Sequence, residues 1–412
     1  MTGNKGVTGW QARLKLVLFA GLALAILSGA GCTAVPGFDD RLHSIVEPYE
    51  FSIAQWELDT IPREVQEWAC YEPEAVDDEV AAVQQYFLMA QTIKTAEYQL
   101  EAAGGGQGDT ASLEAEMATL RERKSALVPA VERILARQVR EALVQQGIHN
   151  PLLNIKVGFP PLNYTLATPP HLVVVSPRDR IESMREITLE PVLGLEDIQN
   201  IEDKIDALGV SSLVVELGGF GGTYPTFVSD SGGLRYTIDT VVEEWLHQYL
   251  AFTPLGFSYL LDTTGVLRNY EIATMNETLA GMVSGEIGGL VYREYYSSGD
   301  EESQRQDTGF DFNLEMRQIR IAVDAYLAQG EIDKAEALMA ERRQYLMSNG
   351  YYIRKLNQAY FAFHGAYADE PTSISPIGVD MRKLRGQSAS LKDFLDKASL
   401  MTNRADLQQS LK

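Results

Sequence analysis

The sequence predicts an α+β protein that is mostly helical, with a small β-sheet between two helical regions. Long patterns with one apolar face recur before residue 150, which is typical of amphipathic helices. Short runs rich in Val, Ile and Leu, bounded by Pro and Gly, recur in residues 151–217 and indicate strands. From Thr240 onward the pattern is again nearly all helical. With 412 residues, of which 45% are apolar, the chain is long enough for two or three domains.

The first helical region, residues 76–150, is predicted to form an antiparallel hairpin. Its two helical patterns run from about Asp77 to Ala102 and from Thr110 to Gly147. The glycine triplet at 104–106 interrupts the helical pattern, and Asp109 with Thr110 offers a new N-cap. No catalytic motif lies in this region. We expect the hairpin to pack on the rest of the chain or to act as a stalk.

Residues 151–370 are predicted to form one α+β domain, followed by a C-terminal tail or helix over 371–412. One helix is expected inside the β-rich part, from Leu195 to Leu208. Strands are expected at Asn154–Phe159, His171–Ser176, Glu186–Pro191 and Ser212–Leu217.

The first 32 residues have the pattern of an export signal. Basic residues without any acid precede an uncharged apolar run from Leu16 to Gly31, which ends in small residues. The run is short for a membrane-spanning helix. We therefore expect an extracytoplasmic protein of the cell envelope, in which residues 33–75 form a linker.

Cys32 is the candidate attachment point for a lipid. The small residues before it resemble the cleavage site of bacterial lipoproteins, although Gly29 stands where an aliphatic residue is usual. This resemblance implies anchoring to the membrane through Cys32. An uncleaved signal anchor and plain secretion are the alternatives. The only other cysteine is Cys70, so no disulfide framework is expected.

The net charge of −22 argues against a nucleic-acid partner, because such a surface repels phosphate backbones. It does not attract anionic lipid either, so membrane attachment depends on the N-terminal segment. The glycine-rich stretch 218–222 matches neither a dinucleotide fingerprint nor a P-loop, and we expect no nucleotide.

A candidate metal site begins in residues 239–250, which are predicted to be helical. Glu243 and His247 are one turn apart and therefore lie on the same helix face, with Glu244 beside them. Metal-dependent hydrolases use this spacing, with two ligands at i and i+4 and a neighbouring carboxylate as general base.

Thirty residues further on, Asn276-Glu277-Thr278-Leu279-Ala280 lies on a second predicted helix. Gluzincin metallopeptidases pair an H-E-x-x-H helix with a later helix that supplies a glutamate ligand, and this sequence resembles that arrangement. The resemblance implies a zincin-like domain that binds Zn²⁺ through Glu243, His247 and Glu277. It also implies Glu244 as general base and a peptide or protein as substrate.

A third segment extends the resemblance to the bacterial predicted-aminopeptidase families among the gluzincins. Asn357, Tyr360, His364 and Tyr367 fall along one face of a predicted helix near the C-terminus. Such a stripe can line a cleft, and we assign Tyr360 and His364 as candidate catalytic residues that stabilise an oxyanion. The alternative interpretation is a buried, hydrogen-bonded seam without a catalytic role.

The sequence departs from the gluzincin pattern at one ligand, because Glu243 stands where the first His is expected. A second carboxylate lowers the Lewis acidity of the ion and shifts preference toward Mn²⁺ or Fe²⁺. The alternative function is therefore a catalytically inactive envelope lipoprotein of gluzincin fold. Such a scaffold would use its acidic helical hairpin to bind other envelope proteins.

Overall fold

The computed structural model describes residues 37–58, 60, 77–102, 110–152, 157–297 and 310–412. The chain divides into two units, residues 1–44 and 45–412, and the described part of the first unit contains the start of helix α1, Phe38–Val46. The predicted export signal and Cys32 lie outside the described residues. Within the described ranges, no helix is both long and apolar enough to cross a membrane.

The described part of the segment predicted as a linker has regular structure. A short 3-10 helix, Glu47–Tyr49, follows α1, and residues 53–58 are helical. Between them, Glu50 forms an antiparallel bridge with Leu189, and the backbone N–H of Phe51 donates to the carbonyl of Thr188 at 3.1 Å, so this segment pairs with a sheet edge.

The predicted mostly helical α+β class is confirmed, with two sheets of three strands each among the described residues. The strands are β1 (Tyr164–Leu166), β2 (His171–Ser176), β3 (Arg185–Leu189), β4 (Ser211–Glu216), β5 (Gly219–Phe220) and β6 (Thr226–Val228). The first sheet is antiparallel in the order β3-β2-β4, and the second is mixed in the order β1-β6-β5. The central strand β2 pairs on both sides, and Val173, Val174 and Val175 within it are fully buried.

The described part of the chain contains twelve further helices. They are α2 (Glu79–Ala102), α3 (Thr110–Gln145), α4 (Leu195–Asp206), α5 (Leu234–Leu250), α6 (Pro254–Thr263), α7 (Tyr270–Tyr295), α8 (Phe312–Ala328), α9 (Ile332–Ser348), α10 (Gln358–Gly365), α11 (Pro376–Gln387), α12 (Leu391–Ser399) and α13 (Arg404–Ser410). Helices α5 and α7 pack along each other at the centre, and α11 to α13 cover part of α7. Helix α10 packs on strands β2 and β4.

Helices α2 and α3 form the predicted antiparallel hairpin. Ion pairs join Arg121 to Glu97 and Arg137 to Glu79, so one helix runs against the other. The hairpin is fastened to the loop before α5, because the hydroxyl of Tyr86 donates to Asp230 at 2.6 Å. The hairpin therefore packs on the rest of this unit.

Candidate metal centre

Helix α5 directs Glu243, Glu244 and His247 toward a cleft while its opposite face joins the core. Trp245 and Leu246 are buried, and the indole N–H of Trp245 donates to the carbonyl of Pro160 at 2.9 Å. This bond fixes the rotation of the helix, because a buried indole N–H requires an acceptor. The face that carries the acids and the histidine is therefore held in one orientation.

Helix α7 brings Asn276 and Glu277 into the interface with α5. The helix begins at a capped end, where the side chain of Asn269 accepts from the backbone N–H of Ile272. Asn276 is 0% exposed and Glu277 is 7% exposed, both in the middle of the helix. Burying a carboxylate and an amide costs free energy unless they have partners, so their presence here indicates a site.

The side chains of Glu243, His247 and Glu277 converge. Each of them offers one ligand atom, and these atoms all lie within 4.8 Å of one another. The Nε2 atom of His247 lies 3.5 Å from Oε2 of Glu277. Ligand atoms about 2.1 Å from a tetrahedral ion are about 3.4 Å apart, which is close to this separation. This partly buried Glu-His-Glu group can therefore hold a metal ion.

The orientation of His247 is set by Asn276. Nδ1 of the imidazole lies 3.1 Å from Nδ2 of the Asn276 amide, whose Oδ1 is buried without a hydrogen-bond partner. Turning the amide by 180° would let Oδ1 accept from Nδ1–H, which leaves the lone pair of Nε2 free for a cation. The amide thus has one orientation that prepares His247 as a ligand.

Glu277 is oriented by Tyr259 on helix α6. The phenol donates to Oε1 of Glu277 at 2.5 Å, which leaves Oε2 directed toward His247. Burial and the charge of Glu277 raise the pKa of Tyr259 well above its ordinary value, so the phenol stays protonated and remains a donor. Sequence reasoning did not find Tyr259, because no motif marks it and only the packing of α6 on α7 brings it close.

The site concentrates negative charge. Burial, and then the neighbouring carboxylates Glu244 and Glu277, raise the pKa of Glu243 well above its ordinary value. Burial also raises the pKa of Glu244 to about 7, although the charge of His247 opposes this shift. Among the described residues, no Lys or Arg forms an ion pair with these three carboxylates. A bound cation would supply the missing positive charge.

Glu244 lies against the main chain of strand β5 and the residue that follows it, at Gly219 and Gly221. An added Cβ at Gly219 would stand 2.4 Å from Oε1 of Glu244, and one at Gly221 would stand 2.7 Å from Oε2. The backbone N–H of Gly221 also donates to the Glu244 carboxylate. These two glycines therefore permit a close approach that locates the carboxylate beside the Glu-His-Glu group.

Two cavities meet at this site, and they share Glu244 and Tyr367 on their walls. The first has a volume of about 900 Å³ and reaches Glu243, whereas the second has about 730 Å³ and reaches His247 and Glu277. Burial and the charges of Glu277, Glu243 and Glu244 raise the pKa of Tyr367 well above its ordinary value. Tyr367 therefore lies within electrostatic reach of the Glu-His-Glu group.

The predicted catalytic residues Tyr360 and His364 line the first cavity, with their ring centroids 4.3 Å apart. Burial raises the pKa of Tyr360 to about 12, and none of the site carboxylates contributes to that shift. Asn357 has a structural role, because its Oδ1 caps α10 by accepting from the N–H of Tyr360 at 2.9 Å. Its Nδ2 donates to the carbonyl of Ser212 at 2.8 Å, which fastens α10 to strand β4. Of the predicted stripe, Tyr367 is the member that borders both cavities.

Comparisons of this chain with protein-family models, with curated proteins and with solved structures found no match. The resemblance to gluzincins therefore rests on the motifs of the sequence.

Proposed function

We propose that this protein is a divalent-metal-dependent hydrolase that acts on peptides in the cell envelope. The observation that carries the proposal is the convergence of Glu243, His247 and Glu277 from two helices, with Glu244 held beside them. Two carboxylate oxygens and one imidazole nitrogen are ligands that Zn²⁺, Mn²⁺ and Fe²⁺ all accept. The second carboxylate favours the harder ions, so Mn²⁺ and Fe²⁺ are to be tested beside Zn²⁺.

A divalent ion held by these three residues would act as a Lewis acid and lower the pKa of a water molecule that it binds. Glu244 is placed to accept the proton of that water, since its carboxylate lies beside the ligands and its pKa is raised to about 7. The hydroxyl of Tyr367 can donate to an oxyanion from the wall that both cavities share. Tyr367 therefore replaces Tyr360 and His364 as our first candidate for this role.

A peptide is the proposed substrate because a strand edge borders the site. Strand β5 pairs only with β6 among the described strands, and its Gly219 and Phe220 lie on the wall of the second cavity. The backbone edge of a short terminal strand can pair with an extended peptide, and the glycines permit close approach. The N-terminal signal and Cys32 support a location outside the cytoplasm, with attachment through a lipid.

The decisive experiment combines metal analysis with one conservative variant. Full-length protein is stripped with a chelator, titrated with Zn²⁺, Mn²⁺ and Fe²⁺, and assayed against a library of quenched fluorescent peptides. Glu244→Gln is expected to retain metal but to lose at least about 100-fold in turnover, because it removes the base without removing a ligand. Equal turnover by wild type and Glu244→Gln refutes the catalytic proposal.

The inactive scaffold remains the second candidate, because Glu243 stands where a gluzincin has its first histidine. The variant Glu243→His discriminates the two functions. If the wild type is inactive with every metal while Glu243→His gains peptidase activity, the scaffold interpretation is supported. Attachment is tested separately by incorporation of a fatty-acid probe, which Cys32→Ala should abolish.

A further inference from the structure

The first cavity extends away from the Glu-His-Glu group and is large enough for an amino-acid side chain with its neighbouring backbone. Its volume is about 900 Å³, and it opens directly onto Glu243 and Glu244. Any substrate group that reaches this cavity therefore lies next to the proposed reaction centre. The chemistry of the cavity wall then determines which group is accepted.

The wall of this cavity is acidic. Seven of its lining side chains are carboxylates, whereas Arg320 is its single Arg or Lys. Arg320 forms an ion pair with Asp324, to which it donates at 2.9 Å. Arg235, which lies outside the wall, pairs in the same way with Asp239. The carboxylates left without such an ion pair among the described residues, apart from those at the metal site, are Glu216, Asp369 and Glu370.

Asp369 is the most informative of these acids. Its Oδ1 is fully buried and has no hydrogen-bond partner among the described residues, and its carboxylate lies over Gly281 of helix α7. Arg382 is near, but it donates to the backbone carbonyl of Asp369 at 3.3 Å. Burial raises the pKa of Asp369 to about 6. Oδ1 has lost contact with water and accepts no hydrogen bond, which is costly, and a positive charge in the adjacent cavity would offset that cost.

Part of the remaining wall is aromatic, which favours an organic cation over a second metal ion. Tyr236, Tyr360 and Phe363 line the same cavity as Asp369 and Glu370. Aromatic faces attract ammonium and guanidinium groups and shield them from water, whereas a metal ion requires several converging ligand atoms. The one converging ligand group found among the described residues is the Glu-His-Glu group itself.

We propose that this cavity is a specificity pocket for a cationic substrate group, an ammonium or guanidinium, bound by Asp369 and Glu370 between aromatic walls. The inference deepens the proposed function and rests on it for the reaction, although binding in the pocket needs no metal. A peptide can supply such a cationic group in two ways. One is the side chain of lysine or arginine, and the other is the free α-amino group.

The test measures binding of small probes to full-length protein by calorimetry or ligand-observed NMR. The probes are N-acetyl-lysine methylamide, its neutral counterpart N-acetyl-norleucine methylamide, and norleucine methylamide with a free α-amine. The first probe carries only a side-chain cation and the third only an α-amino cation. Each titration is run on chelator-treated and on metal-loaded protein, so that loss of metal binding is recorded separately from loss of cation binding.

We expect at least one cationic probe to bind about tenfold or more tightly than the neutral probe, since hydrogen bonds to charged groups discriminate by that much. Asp369→Asn and Glu370→Gln should each reduce this preference several-fold. The matched control is Glu294→Gln, which removes one charge from the exposed side of helix α7 and should leave the preference unchanged. Equal affinity for all three probes, or an equal loss in the Glu294→Gln control, overturns the inference. If cation preference persists while no metal binds, the pocket stands and the hydrolase proposal fails.

Discussion

Replacing Gly219 by Ala tests whether the glycine loop positions the proposed base. The new Cβ would stand 2.4 Å from Oε1 of Glu244 and 2.7 Å from Cγ2 of Thr240. Because both distances are shorter than van der Waals contact, at least one of these side chains or the backbone of Gly219 must move. The glutamate can rotate away, but the branched side chain of Thr240 has few alternative rotamers on a helix. Overpacking of this kind costs about 1–3 kcal/mol, and we expect about 2 kcal/mol for Gly219→Ala.

The movement of Glu244 has a functional consequence that the stability cost does not measure. A displaced carboxylate loses the N–H of Gly221 and its place beside the proposed metal ligands. Since Glu244 is not a proposed ligand, metal affinity should change little, by less than about threefold. Turnover should fall by at least about tenfold, because a misplaced base no longer reaches the water.

The assay is urea denaturation of the chelator-treated protein, followed by metal titration and peptide turnover. Gly386→Ala serves as the control, because an added Cβ there meets nothing within 4 Å and helix α11 should gain about 0.5–1 kcal/mol. A double-mutant cycle with Glu244→Ala isolates the contact. Removing the glutamate should relieve about half of the cost of Gly219→Ala, since Thr240 remains.

Two results would refute this reasoning. If the effects of Gly219→Ala and Glu244→Ala on the free energy of unfolding simply add, the loop and the carboxylate are not in contact. If Gly219→Ala weakens metal binding strongly while turnover per bound metal stays at the wild-type value, Glu244 acts as a ligand instead of a base.

Three further outcomes follow from the same geometry. The metal-free protein should become less stable as pH rises from about 4.5 to about 7, because the folded state holds a proton on Glu244 that the unfolded chain releases. The loss of stability is at most about 3 kcal/mol. Denaturation of wild type and Glu244→Gln at pH 5 and 8 measures it. An equal pH slope in both proteins would contradict this account. Tyr259→Phe should weaken metal affinity about tenfold without unfolding the protein, since Glu277 loses the donor that orients it, and a metal titration beside Tyr249→Phe as control would show this. Asn276→Ala should also reduce metal affinity about 10-fold or more, whereas unchanged affinity would show that His247 is oriented by other contacts.

The parts of the fold that the sequence predicts correctly are those marked by a pattern within one short segment. Strand β2 has the predicted bounds, His171–Ser176, because a run of β-branched residues fits a strand buried by pairing on both sides. Strands β1, β5 and β6 were not predicted. They have only two or three residues each, and they form because distant segments pair, as Tyr164 does with Thr226. Such pairing leaves no periodic signal in the sequence.

The same distinction between local patterns and distant contacts applies to the residues of the candidate site. The spacing of Glu243 and His247 on one helix is local, and the structure places both beside Glu277. Contacts of Tyr259 with Glu277 and of Asp369 with the first cavity depend on how helices and loops pack, so sequence periodicity could not find them. The residues from Asn357 to Tyr367 were predicted to form one surface, but in the structure they have different roles. Asn357 caps a helix, Tyr360 and His364 line the first cavity, and Tyr367 borders both cavities.

Because Glu243 stands where a histidine is expected, it changes the net charge of the proposed metal site and therefore its pH dependence. A divalent ion with two carboxylates and one neutral imidazole carries no net charge, whereas two imidazoles and one carboxylate would leave one positive charge. Since no Lys or Arg pairs with Glu244 among the described residues, a neutral centre does little to lower its raised pKa. The same neutrality keeps the acidity of bound water closer to that of free water. We therefore expect the proposed hydrolase to work best above about pH 7, where Glu244 is ionised.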